Sequence, residues 1–266
     1  MVARRVGATT RLATLACSGP LQAMRAHHLD PGVPEMAFVT ISSPGGGVLQ
    51  GDRLFLDVTA DEGAGVHLAT ASATRIYRCP ESPAESDVRL RVRAGACVEF
   101  LPEPYLPYAG ARFIQRVDCE VEAGGVLILG EVVGPGRAAR GESLAYDLFR
   151  SELTLRRPDG ELLLRDIVAL DSAGPLPLPA LLGGHQALGT LLVAAPGFTW
   201  EGTLEGIEGQ LGSDAYLGYS TLPFEAGAWF RVLASDTGAA AAAVSQAWHQ
   251  ARLRLLGAAP PPARRF

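Results

Sequence analysis

The feature that most constrains the fold is a series of short alternating segments, each followed by a glycine-containing turn. Residues 87–93, with the sequence DVRLRVR, show the pattern most clearly. Val88, Leu90 and Val92 fall on one face, and the charged residues fall on the other. This period of two is typical of a half-buried β-strand. The chain therefore predicts a mainly β protein.

The turns recur at nearly regular intervals along the first two thirds of the chain. Gly63, Gly95, Gly124 and Gly160 each separate two apolar segments, at intervals of 32, 29 and 36 residues. Glycine supplies the positive φ that a tight connection needs. This spacing predicts an all-β, β-solenoid-like superhelix of stacked hairpins. A Greek-key sandwich explains the same spacing almost as well, so the pattern alone leaves both folds open.

One long helix is predicted near the C-terminus, over residues 239–256. The segment is rich in alanine, and Ala240, Val244 and Trp248 fall on one helical face. Gly257 and the prolines that follow it are typical of a helix end. A short helical turn is also predicted over residues 180–182, which follow the prolines of positions 175–179.

We expect a single domain over residues 35–257, with an N-terminal segment (1–34) and a loose C-terminal tail (258–266). No apolar run approaches the roughly 18 residues that would indicate a membrane-spanning helix. Residues 12–17 resemble a signal peptide only loosely, because the apolar stretch is short. We therefore expect a cytoplasmic protein with no membrane partner.

Composition removes several functional classes. A formal net charge of −5 argues against nucleic acid as a partner, because a nucleic-acid-binding protein needs a clustered basic face. All 23 basic residues are arginine, which removes lysine Schiff-base chemistry and the lysine of a phosphate-binding loop. The four cysteines form no C-x-x-C pair, and the five histidines never fall at metal-ligand spacing. The sequence thus predicts no tightly bound cofactor.

Glu131 is the most unusual acidic residue. It follows the apolar segment 126–129, and a carboxylate is costly to bury there unless it is paired or functional. Arg137 and Arg140 are the obvious partners, so a structural ion pair is the simplest interpretation.

Paired carboxylates also suit glycoside hydrolysis, which gives an alternative function. A carbohydrate-active enzyme on a β-solenoid would use two acids from the set Glu99, Glu103, Glu131 and Glu142. Three tryptophans and an aromatic content of 7% leave little surface for sugar stacking, so this alternative is the weaker one. Ser72 lacks a G-x-S-x-G elbow, which argues against a hydrolase nucleophile there.

Several motifs, in order along the chain, carry a resemblance to a known family. They are TISSPGGGVLQGD (40–52), SATRIYR (72–78), EFLPEP (99–104), GARF (110–113), PGR (135–137), GE (141–142) and a final segment with Trp248, Arg252 and LLG (255–257). Over residues 35–257 the chain resembles the urease accessory proteins UreD, also called UreH.

The resemblance implies a mostly β superhelix, which favours the solenoid-like fold over the sandwich. It also implies a non-catalytic scaffold that binds the urease apoprotein subunits and, with UreF and the GTPase UreG, supports nickel delivery. An inert β-rich interaction module without a metal path is a further alternative.

The resemblance also implies a transient Ni²⁺ path through the protein. The matching positions are Asp52, Ser72, Thr74 and Glu142, and we add Glu131 from its place in an apolar strand. Oxygen ligands with no histidine or thiolate cluster suit a relay, because such ligands hold nickel weakly and release it. The same residues also fit a wall with no metal role.

Overall fold

The computed structural model describes residues 1–203 and 215–261. The strands, in chain order, are β1 (Val2–Val6), β2 (Thr9–Thr14), β3 (Gln22–Ala23), β4 (Ala37–Ser42), β5 (Arg53–Ala60), β6 (Gly65–Thr70), β7 (Thr74–Ile76), β8 (Ala84–Val92), β9 (Cys97–Phe100), β10 (Tyr105–Pro107), β11 (Arg112–Val121), β12 (Val126–Val133), β13 (Leu148–Arg156), β14 (Leu162–Asp171), β15 (Ala187–Ala194), β16 (Tyr216–Thr221) and β17 (Gly227–Ala234). The α-helices are α1 (Leu178–Leu181) and α2 (Thr237–Leu256), and short 3-10 helices lie at Ala138–Arg140 and Pro223–Glu225. No helix of the described ranges is both long and apolar enough to cross a membrane.

The strands form two sheets that face each other. The first has the order β14-β13-β11-β8-β5-β1-β2. The second has the order β16-β17-β15-β12-β9-β6-β4-β3, and the short strands β10 and β7 continue from β12 as a side branch. The N-terminal segment adds strands to both sheets, because β1 pairs with β5 and β3 pairs with β4.

The middle of the chain coils between the two sheets. Strands β5, β8, β11 and β13 are parallel neighbours in the first sheet. Strands β4, β6, β9 and β12, which alternate with them along the chain, are parallel neighbours in the second sheet. This arrangement confirms the predicted all-β, solenoid-like superhelix with a helix near the C-terminus.

The regular turn glycines mark successive coils. Gly63, Gly95 and Gly124 connect strands of opposite sheets, whereas Gly160 closes an antiparallel hairpin between β13 and β14. The first three have φ between +64° and +77° and lie above one another, since the Gly63 N–H donates to the carbonyl of Ala94 at 3.1 Å. An interval of about 30 residues is therefore the length of one coil, as expected for a solenoid.

Helix α2 covers the outer face of the second sheet. Asp236 caps it by accepting from the N–H of Ala239 at 2.9 Å, and Gly257 ends it with φ +66°. The small side chains of Ala240, Ala243 and Ala247 pack on the sheet. Residues 262–266 of the expected tail lie outside the described residues.

Candidate functional site

A layer of polar side chains crosses the interior between the two sheets. Six strands each contribute one inward-facing residue. The register of the strands within each sheet places these residues side by side. The first sheet supplies Ser86, Gln115 and Ser151, and the second supplies Glu131, Thr190 and Arg231. These positions are polar although the rest of the interior is apolar.

Glu131 faces inward because of its place in the alternation of β12. Leu127 and Leu129 belong to one apolar cluster between the sheets, and Val133 belongs to a second, aromatic-rich cluster. Ile128, which lies between Leu127 and Leu129 in sequence, faces outward and packs beneath α2. Glu131 therefore lies at the boundary between the two interior clusters, and the polar layer separates them.

Hydrogen bonds hold the Glu131 carboxylate in this position. Tyr105 donates its hydroxyl to Gln115 Oε1 at 2.6 Å, so the amide nitrogen of Gln115 is the atom that faces Glu131. That nitrogen donates to Glu131 Oε2 at 2.5 Å. Ser151 Oγ donates to the same oxygen at 2.9 Å. Strands β10, β11 and β13 are thus joined to β12 through side chains.

The layer ends at an ion pair near the edge of the two facing sheets. Arg231 Nη2 donates to Asp166 Oδ2 at 2.6 Å, and 32% and 23% of the two side chains are exposed. Gln115, Ser151 and Thr190 are by contrast buried. Asp166 belongs to β14, the edge strand of the first sheet. The layer therefore runs from a buried centre to a partly exposed end.

The electrostatics of the layer favour a neutral Glu131. The pKa of Glu131 is raised to about 7, chiefly by burial and to a smaller extent by the nearby Asp166 carboxylate. The hydrogen bonds from Ser151 and Gln115 and the positive charge of Arg231 oppose that rise. A group with a pKa near 7 exchanges its proton readily at neutral pH, so Glu131 is available both as a hydrogen-bond partner and as an anionic ligand.

Glu142 lies in an ion pair at the surface. Arg137 donates from Nε to Glu142 Oε2 at 2.9 Å and from Nη2 to the other carboxylate oxygen. This pairing holds the pKa of Glu142 below its usual range. The Arg137 guanidinium also lies over the ring of Tyr108, 4.5 Å from its centroid.

The predicted ion pair between Glu131 and Arg137 or Arg140 is wrong. Glu131 points between the sheets, whereas the loop that follows β12 leaves the interior and folds back on itself at Gly141, with φ +75°. Arg137 consequently meets Glu142, and the cation that influences Glu131 is Arg231.

Three further predicted residues lie at or just before the starts of β5 and β7. Asp52 accepts from the N–H of Leu49 at 2.8 Å within a turn. Ser72 is exposed in the bend before β7. Thr74 begins β7 and lies beside Tyr105, whose hydroxyl leads into the polar layer. Of the predicted set, Glu131 alone belongs to the layer, and Thr74 adjoins it.

The structure adds site residues that the sequence reasoning missed, namely Gln115, Ser151, Asp166 and Arg231. Two of them carry a recognisable signal. Gln115 lies between Phe113 and Val117 at the inward positions of β11, and Ser151 lies in the same way between inward apolar residues of β13. A polar residue at an apolar position of an alternating strand is the pattern that points to such a layer.

A second buried polar cluster lies on the opposite face of the second sheet, beneath α2. His67 Nδ1 lies 2.7 Å from Glu99 Oε2, and Arg252 Nε lies 3.4 Å from Glu99 Oε1. Arg252 also donates to Asp30, in the N-terminal segment. Glu99 is in register with Ile128, so it faces away from the interior that holds Glu131.

This placement bears on the predicted acid–base pairs. Glu99 is fully buried beneath a helix, Glu103 is exposed and Glu142 is paired with Arg137. No two members of the set Glu99, Glu103, Glu131 and Glu142 are thus shown facing each other across a cleft in the described ranges. The residues that the structure describes also contain no group of three or more His, Cys, Asp and Glu side chains arranged to hold a metal ion.

Comparison with known proteins identifies the family to which the chain belongs. The model of the family described as "UreD urease accessory protein" matches residues 1–265. The chain belongs to the UreD family. The match extends the motif-based resemblance to both ends of the sequence.

Curated members of the UreD family are similar over most of their length. Urease accessory protein UreD 2 of Streptomyces griseus is 35% identical over 260 residues, which cover 96% of this chain and 88% of that protein. Urease accessory protein UreD of Cenarchaeum symbiosum is 33% identical over 266 residues, covering 98% and 93%. The UreD protein of Haloarcula marismortui is 33% identical over 239 residues, covering 89% and 79%.

Proposed function

We propose that this chain is a urease maturation scaffold. In this role it binds apo-urease and, with UreF and the GTPase UreG, supports the delivery of nickel to the urease active site. It acts through protein contacts and cation passage, without catalytic turnover. Membership of the UreD family supports the role in urease maturation, and the polar layer is the observation that carries the proposal of a cation path.

The donor set of the layer suits a cargo ion. Glu131, Asp166 and Ser151 offer carboxylate and hydroxyl oxygens, and the described layer contains no imidazole or thiolate. Nickel binds tightly to imidazole and thiolate and more weakly to scattered oxygen ligands. A path must release its ion at the far end, so weak oxygen ligands are better suited to it than a closed site.

The surface supports a role in protein contacts. Exposed large apolar side chains occur along the described chain, and Tyr216 and Phe224 are the most exposed of them, at 70% and 64%. Exposed apolar surface of this kind is a feature of protein–protein interfaces. All four cysteines are free, which agrees with a reducing compartment and with our proposal of a cytoplasmic protein.

Co-expression tests the proposal. Urease structural subunits, UreF and UreG are produced with this chain, without it, or with Glu131→Ala, and the nickel content of purified urease is measured. We expect urease to lack most of its nickel without the chain. With Glu131→Ala we expect a marked loss of nickel while the chain still co-purifies with UreF and urease.

Two results would contradict the proposal. Full nickel incorporation without the chain refutes the maturation role. Normal incorporation with Glu131→Ala refutes the path through the layer and leaves an inert interaction module. Detectable glycosidase activity of the purified chain would instead favour the carbohydrate-active alternative.

A further inference from the structure

Arg231 occupies the partly exposed end of the polar layer and places its positive charge there. Its guanidinium donates to Asp166 at 2.6 Å, and its charge is near enough to Glu131 to lower the pKa of that carboxyl. Among the described residues, Arg231 Nε is buried and has no hydrogen-bond partner. The hydrogen-bonding capacity of the guanidinium is therefore only partly used.

Arg231 also has a contact that does not involve a carboxylate. The guanidinium lies 5.0 Å from the centroid of the Trp229 ring, which is on the same side of β17 two residues earlier. An aromatic face stabilises a cation without a carboxylate partner. Arg231 can thus leave Asp166 and still keep a favourable contact.

We propose that Arg231 is a tethered cation, and that a divalent metal ion enters or leaves the polar layer by replacing its guanidinium on Asp166. The inference rests on the proposed function, since it concerns the same path for a cargo ion. It adds the residue that controls access to that path.

The physical reason is competition for one carboxylate. With Arg231 in place, the charge of Asp166 is neutralised, so this end of the layer attracts a second cation only weakly. When the guanidinium releases Asp166 and keeps its contact with Trp229, Asp166 and Glu131 become available as oxygen ligands at that end. The tethered charge keeps the resting affinity low, which a path requires, and prevents two carboxylates from lying together without a counter-ion.

The affinity of the purified full-length chain for nickel tests the inference. Isothermal titration with NiSO₄ at low ionic strength compares the wild type with Arg231→Gln. Loss of one competing charge is expected to tighten nickel binding by about tenfold. Arg231→Lys keeps the charge and is expected to bind nickel like the wild type.

A double-mutant cycle locates the effect. Asp166→Asn should weaken nickel binding in the wild type and should abolish the gain in Arg231→Gln. The matched control is Arg165→Gln. Arg165 is on the outward side of β14, where it lies 3.9 Å from Glu152, and its replacement should leave nickel affinity unchanged.

Two outcomes would overturn the inference. One is an Arg231→Gln variant, folded by circular dichroism, that binds nickel no more tightly than the wild type. The other is a gain that persists when Asp166 is replaced by Asn. If Arg231→Gln does not fold, an Asp166→Asn variant with wild-type nickel affinity overturns the inference by itself.

The readout separates this inference from the proposed function. Nickel affinity is measured on the chain alone, whereas the maturation role is measured by the nickel content of urease. If urease acquires its full nickel content without this chain, the maturation role is refuted. The nickel titration of the chain alone can still be interpreted. Normal delivery combined with an unchanged affinity of Arg231→Gln refutes the tethered cation alone.

Discussion

Gln115 and Glu131 meet across the interior between the two sheets, with 2.5 Å between the amide nitrogen of Gln115 and Oε2 of Glu131. The two residues come from opposite sheets, and the bond joins them through the polar layer. Because Tyr105 donates to Gln115 Oε1, the orientation of the amide is determined by its neighbours. The contact therefore determines which atoms face Glu131 and supports its carboxylate in an otherwise apolar interior.

The stability of the protein should depend on pH through Glu131. Its pKa rises from 4.5 to about 7 on folding, because the folded state disfavours the charged carboxylate. Because the pKa is higher in the folded state, protonated Glu131 contributes to the free energy of unfolding. This contribution is fully present below pH about 4.5 and is lost as the pH rises through about 7. This difference in pKa corresponds to roughly 3 kcal/mol.

Glu131→Gln removes this titration while keeping a similar shape. We expect the free energy of unfolding of the variant, relative to the wild type, to increase between pH 4.5 and 7 and then to level off. Urea denaturation at a series of pH values measures the difference. A constant difference across this range would show that Glu131 keeps an ordinary pKa in the folded protein.

Replacement of Arg252 should strongly destabilise the protein. Arg252 is fully buried and lies between Glu99 and Asp30, so Arg252→Met leaves two buried carboxylates without their cation. Removal of one partner from a buried ion pair costs about 3–5 kcal/mol. Thermal or urea denaturation provides the measurement.

Arg254→Met is the matched control, two residues away on the same helix. Arg254 is exposed and donates to the backbone carbonyls of Thr199 and Glu201. Its replacement should cost about 1 kcal/mol. Equal losses for the two variants would contradict a special role for the buried cluster.

Close packing of α2 should depend on Gly189. A Cβ at this position would lie 2.8 Å from side-chain atoms of both Val232 and Val244, which leaves no room for a methyl group. Gly189→Ala is expected to destabilise the protein by about 1–3 kcal/mol through overpacking. Gly218→Ala is the control, since a Cβ there would meet no atom within 4 Å. A neutral Gly189→Ala would mean that the helix can shift outward without cost.

Glu142 should affect nickel delivery more than folding. Its ion pair with Arg137 is at the surface, where such pairs contribute little to stability. We expect Glu142→Ala to lower the nickel content of urease in the co-expression assay while the complex with UreF and urease still forms. Glu161→Ala removes the exposed pair with Arg157 and should change neither readout. Loss of the complex with Glu142→Ala would instead indicate a structural role for the pair with Arg137.

Local patterns account for much of what the sequence predicted correctly. Alternation over 87–93 predicted a strand, and β8 covers it. The glycine intervals predicted stacked coils, because a positive φ at a tight turn is a property of the residue itself. The alanine-rich segment predicted the C-terminal helix, which begins two residues earlier, at Thr237.

The partners of individual side chains were less accessible. Proximity in sequence favours Arg137 and Arg140 as partners of Glu131, but β12 directs Glu131 inward and the following loop carries Arg137 outward. Glu99 gave no sign that it would lie beneath α2, since its contact with Arg252 joins residues 153 positions apart. Such contacts depend on how distant strands and helices are placed, which local periodicity does not report.

The sequence by itself determined the strands, the coil length, the C-terminal helix and the UreD resemblance, because each depends on residues close together in the chain. Only the tertiary structure decided that Gln115, Ser151, Asp166 and Arg231 surround Glu131. These residues come from four strands, and the register of the parallel and antiparallel pairs brings them into one layer. Register is a property of paired strands, so the candidate path exists only once the two sheets are assembled.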